Sequence, residues 1–130
     1  MQWLILNGKL EEVSSVCLSP DNRAFNYADG VFETIRVMYG QPLWIGWHFD
    51  RLSHGLRALG IENPWHLGSF EKELLTLIEA NKIRQGGRLK VQVWRSAGGY
   101  YQPESAHADW LMQVSVLPHN TFQLNYKGLQ

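Results

Sequence analysis

The feature that most limits what this chain can fold into is a double switch in hydrophobic period. Val31 to Tyr39 alternates and is rich in β-branched residues, which reads as a strand. Phe49, Leu52, Leu56 and Leu59 then recur every three or four residues, the stripe of an amphipathic helix, and Gly60 is placed to end it in the left-handed conformation. Phe70, Leu74, Leu77 and Ile78 repeat that helical spacing, with Ser69 as the expected N-cap and an end near Lys82. Alternation returns in Arg88–Arg95 and Trp110–Leu117. A chain that goes from strand to helices and back to strands must pack helices against a sheet.

Turn chemistry settles the strand direction. Asn7-Gly8 is a type I′ signal joining strands at Gln2–Leu6 and Leu10–Val13. Tyr39-Gly40-Gln41-Pro42 turns the Val31–Tyr39 strand into an expected partner over Leu43–Trp47, and Thr121–Tyr126 is a candidate last strand. Strands joined by hairpins favour an antiparallel sheet, so the expected class is α+β, with two helices packed on one face. At 130 residues the chain has room for one domain, and its six tryptophans point to dense packing or a buried interface.

Twelve basic and twelve acidic side chains cancel, and no basic stripe is present, which disfavours nucleic acid as a partner. The lone Cys17 excludes an internal disulfide and a thiolate zinc site. His54, His66, His107 and His119 are too dispersed for metal ligation. The apolar run Trp3–Leu6 is too short for a signal peptide or membrane span, so no membrane partner and a cytoplasmic location are expected. Ser14, Ser15 and Ser19 lack the surroundings of a nucleophile elbow, and Trp44, Trp47 and Trp94 are expected to pack the sheet or an interface.

Chemistry is expected in two places. In His48-Phe49-Asp50-Arg51-Leu52, His48 and Arg51 lie three apart and share a helix face, and the arginine fork suits a phosphate or carboxylate. A solvated Arg51 paired with a nearby acid is the plain alternative. The other stretch runs from Asp21 to Val37. Taken alone it reads as a turn, an irregular approach and a strand.

Together, Asn22-Arg23-Ala24-Phe25, Tyr27-Ala28-Asp29-Gly30-Val31-Phe32-Glu33-Thr34-Ile35-Arg36-Val37 and the His48–Leu52 motif closely resemble the class IV aminotransferases. These are the fold-type IV pyridoxal-phosphate enzymes, which include aminodeoxychorismate lyases and branched-chain and D-amino acid aminotransferases. Val91–Ser96 followed by Gly98-Gly99 is similar to the lyase-like members. The resemblance implies that residues 1–130 form the N-terminal small domain of a two-domain enzyme, usually a homodimer. It implies that Arg51 holds the phosphate of pyridoxal 5′-phosphate, and that Tyr27, Phe32 and Arg95 border the pocket for an amino acid or aminodeoxychorismate-like substrate.

The resemblance also sets limits. The Schiff-base lysine and the glutamate facing the pyridinium nitrogen belong to the family's C-terminal domain. Lys9, Lys72, Lys82, Lys90 and Lys127 lie outside that lysine motif. No catalytic residue is therefore expected in this chain, which should be inactive and hold no cofactor alone. Tyr100 and Tyr101 stand where D-amino acid aminotransferases place a carboxylate-binding arginine, and Arg95 or Lys90 is the candidate substitute. Two alternatives stay open: a non-catalytic dimerisation or interaction module, and a small anion-binding regulator using Arg51.

Overall fold

The computed structural model describes residues 2–122 and 124–128. Six strands form one antiparallel sheet: β1 (Trp3–Leu6), β2 (Lys9–Glu12), β3 (Gly30–Met38), β4 (Gln41–Pro42), β5 (Gly87–Arg95) and β6 (Ala108–Val116), in the order β2-β1-β6-β5-β3-β4. The helices are α1 (Arg23–Tyr27), α2 (Ile45–Leu59) and α3 (Leu67–Ala80), with a 3-10 turn at Val13–Ser15. This is the expected α+β class.

Alternation decides which face meets the helices. Ile35 and Val37 of β3, Leu89, Val91 and Val93 of β5, and Met112 and Val114 of β6 pack against Leu52 and Leu56 of α2 and Phe70, Leu74 and Leu77 of α3. Burying each such side chain contributes roughly 1.5–3 kcal/mol, so this layer dominates stability. On the opposite face, Leu4, Trp94 and Leu111 are covered by the segment carrying Val16 and Ala24. The cross-tie at the far end is polar. Glu73 of α3 accepts hydrogen bonds from the indole nitrogens of Trp65 and Trp110, each at 3.0 Å.

The Asn7-Gly8 hairpin forms as expected, with both residues at positive φ (51° and 82°), and Gly60 ends α2 at φ 70°. Three expectations fail. The strand over Leu43–Trp47 is absent: β4 is only Gln41–Pro42, and α2 starts at Ile45 after Trp44 takes a left-handed φ of 54°. Ile45 sits four residues before Phe49, so the helical stripe extends back through the tryptophan-rich run. Ser69 is not the N-cap of α3. His66 is, and its Nδ1 accepts from the Ser69 amide while the Ser69 hydroxyl accepts from the His66 amide. Thr121, Phe122, Leu124, Asn125 and Tyr126 lie in no strand, and Gln123 of that stretch lies outside the described residues. Trp94 packs as expected, whereas Trp44 and Trp47 are exposed and stack on each other 6.4 Å apart. Among the described residues no helix is long and apolar enough to cross a membrane.

Candidate functional site

Three side chains from two elements form one cluster centred on a carboxylate. The strand period puts Glu33 on the helix-facing side of β3 with Ile35 and Val37, where it is only 4% exposed. A carboxylate in that position must be paired. Arg51 of α2 donates Nε to Oε1 (2.7 Å) and Nη2 to Oε2 (2.8 Å), a bidentate fork, and His48 Nδ1 lies 2.7 Å from Oε2. Residues three apart on a helix share a face, so one acid anchors both. Burial raises the Glu33 carboxyl, but the Arg51 and His48 hydrogen bonds and charges outweigh it and hold it below the ordinary carboxylate range. Glu33 in turn raises Arg51.

The consequence is a presented cation. The Arg51 side chain is 73% exposed, yet the fork fixes its orientation. Among the described residues its Nη1 bonds to nothing, so two N–H groups face outward from a rigid base. Such an edge suits a phosphate, and the residues present fit the phosphate end of pyridoxal phosphate.

A second cluster orders the neighbouring loop. Asp29 Oδ2 accepts from Arg23 Nε at 2.8 Å and from Arg95 Nε at 3.0 Å, and both arginines are buried (3% and 7% exposed). Arg23 Nη1 reaches the carbonyls of Gly98 and Tyr100 at 3.1 and 2.6 Å. Arg95 donates to those of Leu59, Gly60 and Ser105. One carboxylate and this set of carbonyl dipoles thus stabilise two guanidinia and pin both ends of the loop after β5.

The structure distributes the sequence-derived candidates over separate places. Tyr27 and Arg95 line one open cleft of about 820 Å³ with Phe25 and Tyr101. Tyr27 lies under the Arg23 guanidinium (4.6 Å) and edge-on to Tyr101 (5.5 Å). Phe32, 63% exposed, points to the other face of the sheet and borders a smaller cavity with Gln92 and Trp94. Arg51 belongs to neither. The sequence reading missed Glu33, Asp29 and Arg23 as anchors. For Glu33 the signal was present: a carboxylate on the apolar phase of an alternating strand.

The fold and site define an α+β small domain in which a strand-borne acid orients a helix-borne arginine, and comparison with known proteins narrows it. Residues 30–126 match the family model "Amino-transferase class IV", and the chain belongs to that family. It is 35% identical over 128 residues to the aminodeoxychorismate lyase of Bacillus subtilis (strain 168), covering 96% of this chain and 44% of the relative. The 4-amino-4-deoxychorismate lyase from Pseudomonas aeruginosa superposes with a TM-score of 0.71 at 30% identity, over 88% of this chain and 40% of that one. The branched-chain aminotransferase from the thermophilic archaeon Thermoproteus uzoniensis, with norvaline, shares the fold. It gives a TM-score of 0.80 at 17% identity, over 88% of this chain and 40% of that one. The chain therefore spans less than half the length of these relatives.

Proposed function

We propose that this chain is the N-terminal small domain of a pyridoxal-phosphate enzyme of the aminodeoxychorismate lyase or aminotransferase kind. In this reading it supplies the phosphate-binding Arg51 and one wall of the substrate pocket. The observation that carries this is the Glu33–Arg51 fork, which presents a fixed, outward guanidinium edge. When bound, pyridoxal phosphate supplies an electron sink for a carbanion at the substrate carbon. Arg51 would hold the phosphate, with His48 and Glu33 keeping it in position. In this reading Phe32 brings an exposed ring and Tyr27 a half-buried one to the substrate side, from two separate clefts. Arg95 acts there by fixing the loop, since four of its N–H bonds already point at Asp29 and three carbonyls.

None of the five lysines lies on β3 or α2, the elements that carry Glu33 and Arg51. The amine that the chemistry needs is assigned to the part of the relatives this chain does not span, and residues 1–130 alone give no turnover. Large exposed aromatics, among them Phe25, Trp47 and Tyr101, support burial against further chain and a second copy in a homodimer. The single exposed Cys17 fits a reducing, cytoplasmic setting. The substrate is an amino acid or aminodeoxychorismate-like molecule.

The test is a titration of the chain with inorganic phosphate, read on the Arg51 and His48 resonances. Saturable shifts are expected and are lost in Arg51→Gln. Unchanged phosphate binding in that variant, or transamination by the 130-residue chain, overturns the reading. The stacked Trp44, Trp47 and Phe122 rings favour a second reading, a solo interaction module. A concentration-independent monomer in sedimentation rejects it.

A further inference from the structure

The far edge of the sheet is β2, separated from β3 and its Glu33 by β1, β6 and β5, and among the described residues no strand lies on its other side. Its register on β1 pairs Lys9 with Leu6, Leu10 with Ile5, Glu11 with Leu4 and Glu12 with Trp3. Ile5 belongs to the core under the helices and Leu4 to the cluster on the opposite face. Leu10 and Glu12 therefore stand on the helix side. Lys9 and Glu11 stand on the outer side, where their charges lie 3.8 Å apart. Just past this ladder the Val13 amide donates to the Gln2 carbonyl at 2.9 Å. Antiparallel pairs alternate, so Glu11 and Lys9 also bond inward to β1, and the N–H and C=O of Leu10 point out of the sheet edge.

On the helix side the edge runs into a shallow groove, where Leu10 meets Leu75, Thr76 and Ala80 of α3. Leu10 and Leu75 are 38% and 36% exposed, so apolar surface is left uncovered there. On the outer side a base and an acid stand two residues apart. A two-fold axis perpendicular to the sheet, passing through Leu10, sets a second copy antiparallel with like faces together. Leu10 then lies opposite Leu10, and each Lys9 lies opposite the other copy's Glu11. Moving the axis by one residue sets Glu11 against Glu11 or Lys9 against Lys9, and like charges directly opposite destabilise a sheet. Intermediate registers put Leu10 on the wrong face. A lysine on an edge strand ordinarily repels a second strand. Here the acid two residues on makes it a partner, in one register.

We propose that β2 is a self-complementary docking edge, and that its partner is a second copy of this chain. The two β2 strands join antiparallel about Leu10 into one continuous sheet. Leu10 exchanges both main-chain hydrogen bonds with its counterpart, and a Lys9–Glu11 ion pair flanks it on either side. The two α3 grooves meet over Leu10 and Leu75. The contact is isologous, and with so short a strand the dimer is weak. It leaves the Arg51 fork and the exposed aromatics free, so it does not rest on the function proposed above.

The experiment is sedimentation equilibrium of the 130-residue chain up to about 1 mM, with amide exchange followed by NMR. The parent is expected to self-associate, with the Leu10 amide gaining protection as concentration rises. Lys9→Glu and Glu11→Lys each turn two attractive pairs into two repulsive ones, and each should weaken association at least about tenfold. Mixed in equal amounts, these two variants should form a heterodimer at least as tight as the parent dimer, and the double swap should restore self-association. A parent chain that stays monomeric at about 1 mM overturns the proposal without any variant having to fold. So does a dimer whose dissociation constant stays within twofold of the parent in both single variants, or a mixture that fails to associate. Loss of the phosphate response at Arg51 with β2 association intact overturns the proposed function alone. The converse result overturns only this interface.

Discussion

Replacing Asp29 by asparagine removes one negative charge from between two buried guanidinia. The side chain keeps its size, and its amide oxygen still accepts from one arginine. What is lost is the counter-charge for Arg23 and Arg95, whose side chains are 3% and 8% exposed. Breaking a buried ion pair by removing one partner costs about 3–5 kcal/mol, because the remaining charge stays desolvated. The carbonyls around Nη1 of both arginines soften that penalty, so Asp29→Asn is expected near the lower end, about 3–4 kcal/mol. At roughly 2.1 cal/mol/K of unfolding entropy per residue, a chain of this length loses about 11–15 °C in Tm. Urea unfolding followed by tryptophan fluorescence measures the difference directly. Arg23→Met added to Asp29→Asn should restore part of the loss, since one uncompensated cation is then gone. A cost below about 1 kcal/mol for Asp29→Asn refutes the reasoning. It would mean the carbonyl dipoles alone stabilise both arginines.

Further predictions concern the other anchors. Because folding lowers the Glu33 carboxyl, its contribution is full above its ordinary value of 4.5 and drains away as pH falls through the lower folded value. Glu33→Gln should therefore flatten the acid limb of a stability–pH profile and leave the neutral-to-alkaline slope unchanged. Gly30→Ala places a Cβ against the Val93 carbonyl oxygen and 3.0 Å from the Trp94 Cα, so β3 and β5 must part. A cost of at least about 1–3 kcal/mol is expected in chemical denaturation. Glu73→Leu leaves the Trp65 and Trp110 indole N–H groups without their acceptor. A loss of about 1–3 kcal/mol, with a shift in tryptophan emission, is the expected outcome.

How much of this could be read from the sequence depends on the range of each interaction. The alternating and helical stripes reveal β3, α2, α3, β5 and β6 because each is a local repeat, and Asn7-Gly8 and Gly60 are local as well. The start of α2 was hidden by composition. Leu43-Trp44-Ile45-Gly46-Trp47 is rich in strand formers, and the helix N-cap there is a left-handed tryptophan with no capping side chain. His66 escaped notice as a cap because a ring nitrogen does there what a hydroxyl or carboxylate ordinarily does. Arg51 was legible from its spacing to His48, while its partner Glu33 becomes visible only when the strand phase is compared with residue polarity. The Arg23–Asp29–Arg95 cluster joins two ends of the chain's middle stretch, from the approach to β3 to the end of β5, and no local pattern encodes that.

The shortness of β4 has a practical consequence. It pairs only with Val37 and Met38, so Gly30–Ile35 has no neighbouring strand on that side among the described residues. An open strand edge is a template for the edge of another copy. The usual protection, mutual repulsion between like-charged molecules, is missing near neutrality, where the formal net charge is zero and the sequence pI is about 7.0. Handled by itself in neutral buffer, this polypeptide should therefore be at its least soluble, and it should redissolve when moved away from pH 7 in either direction.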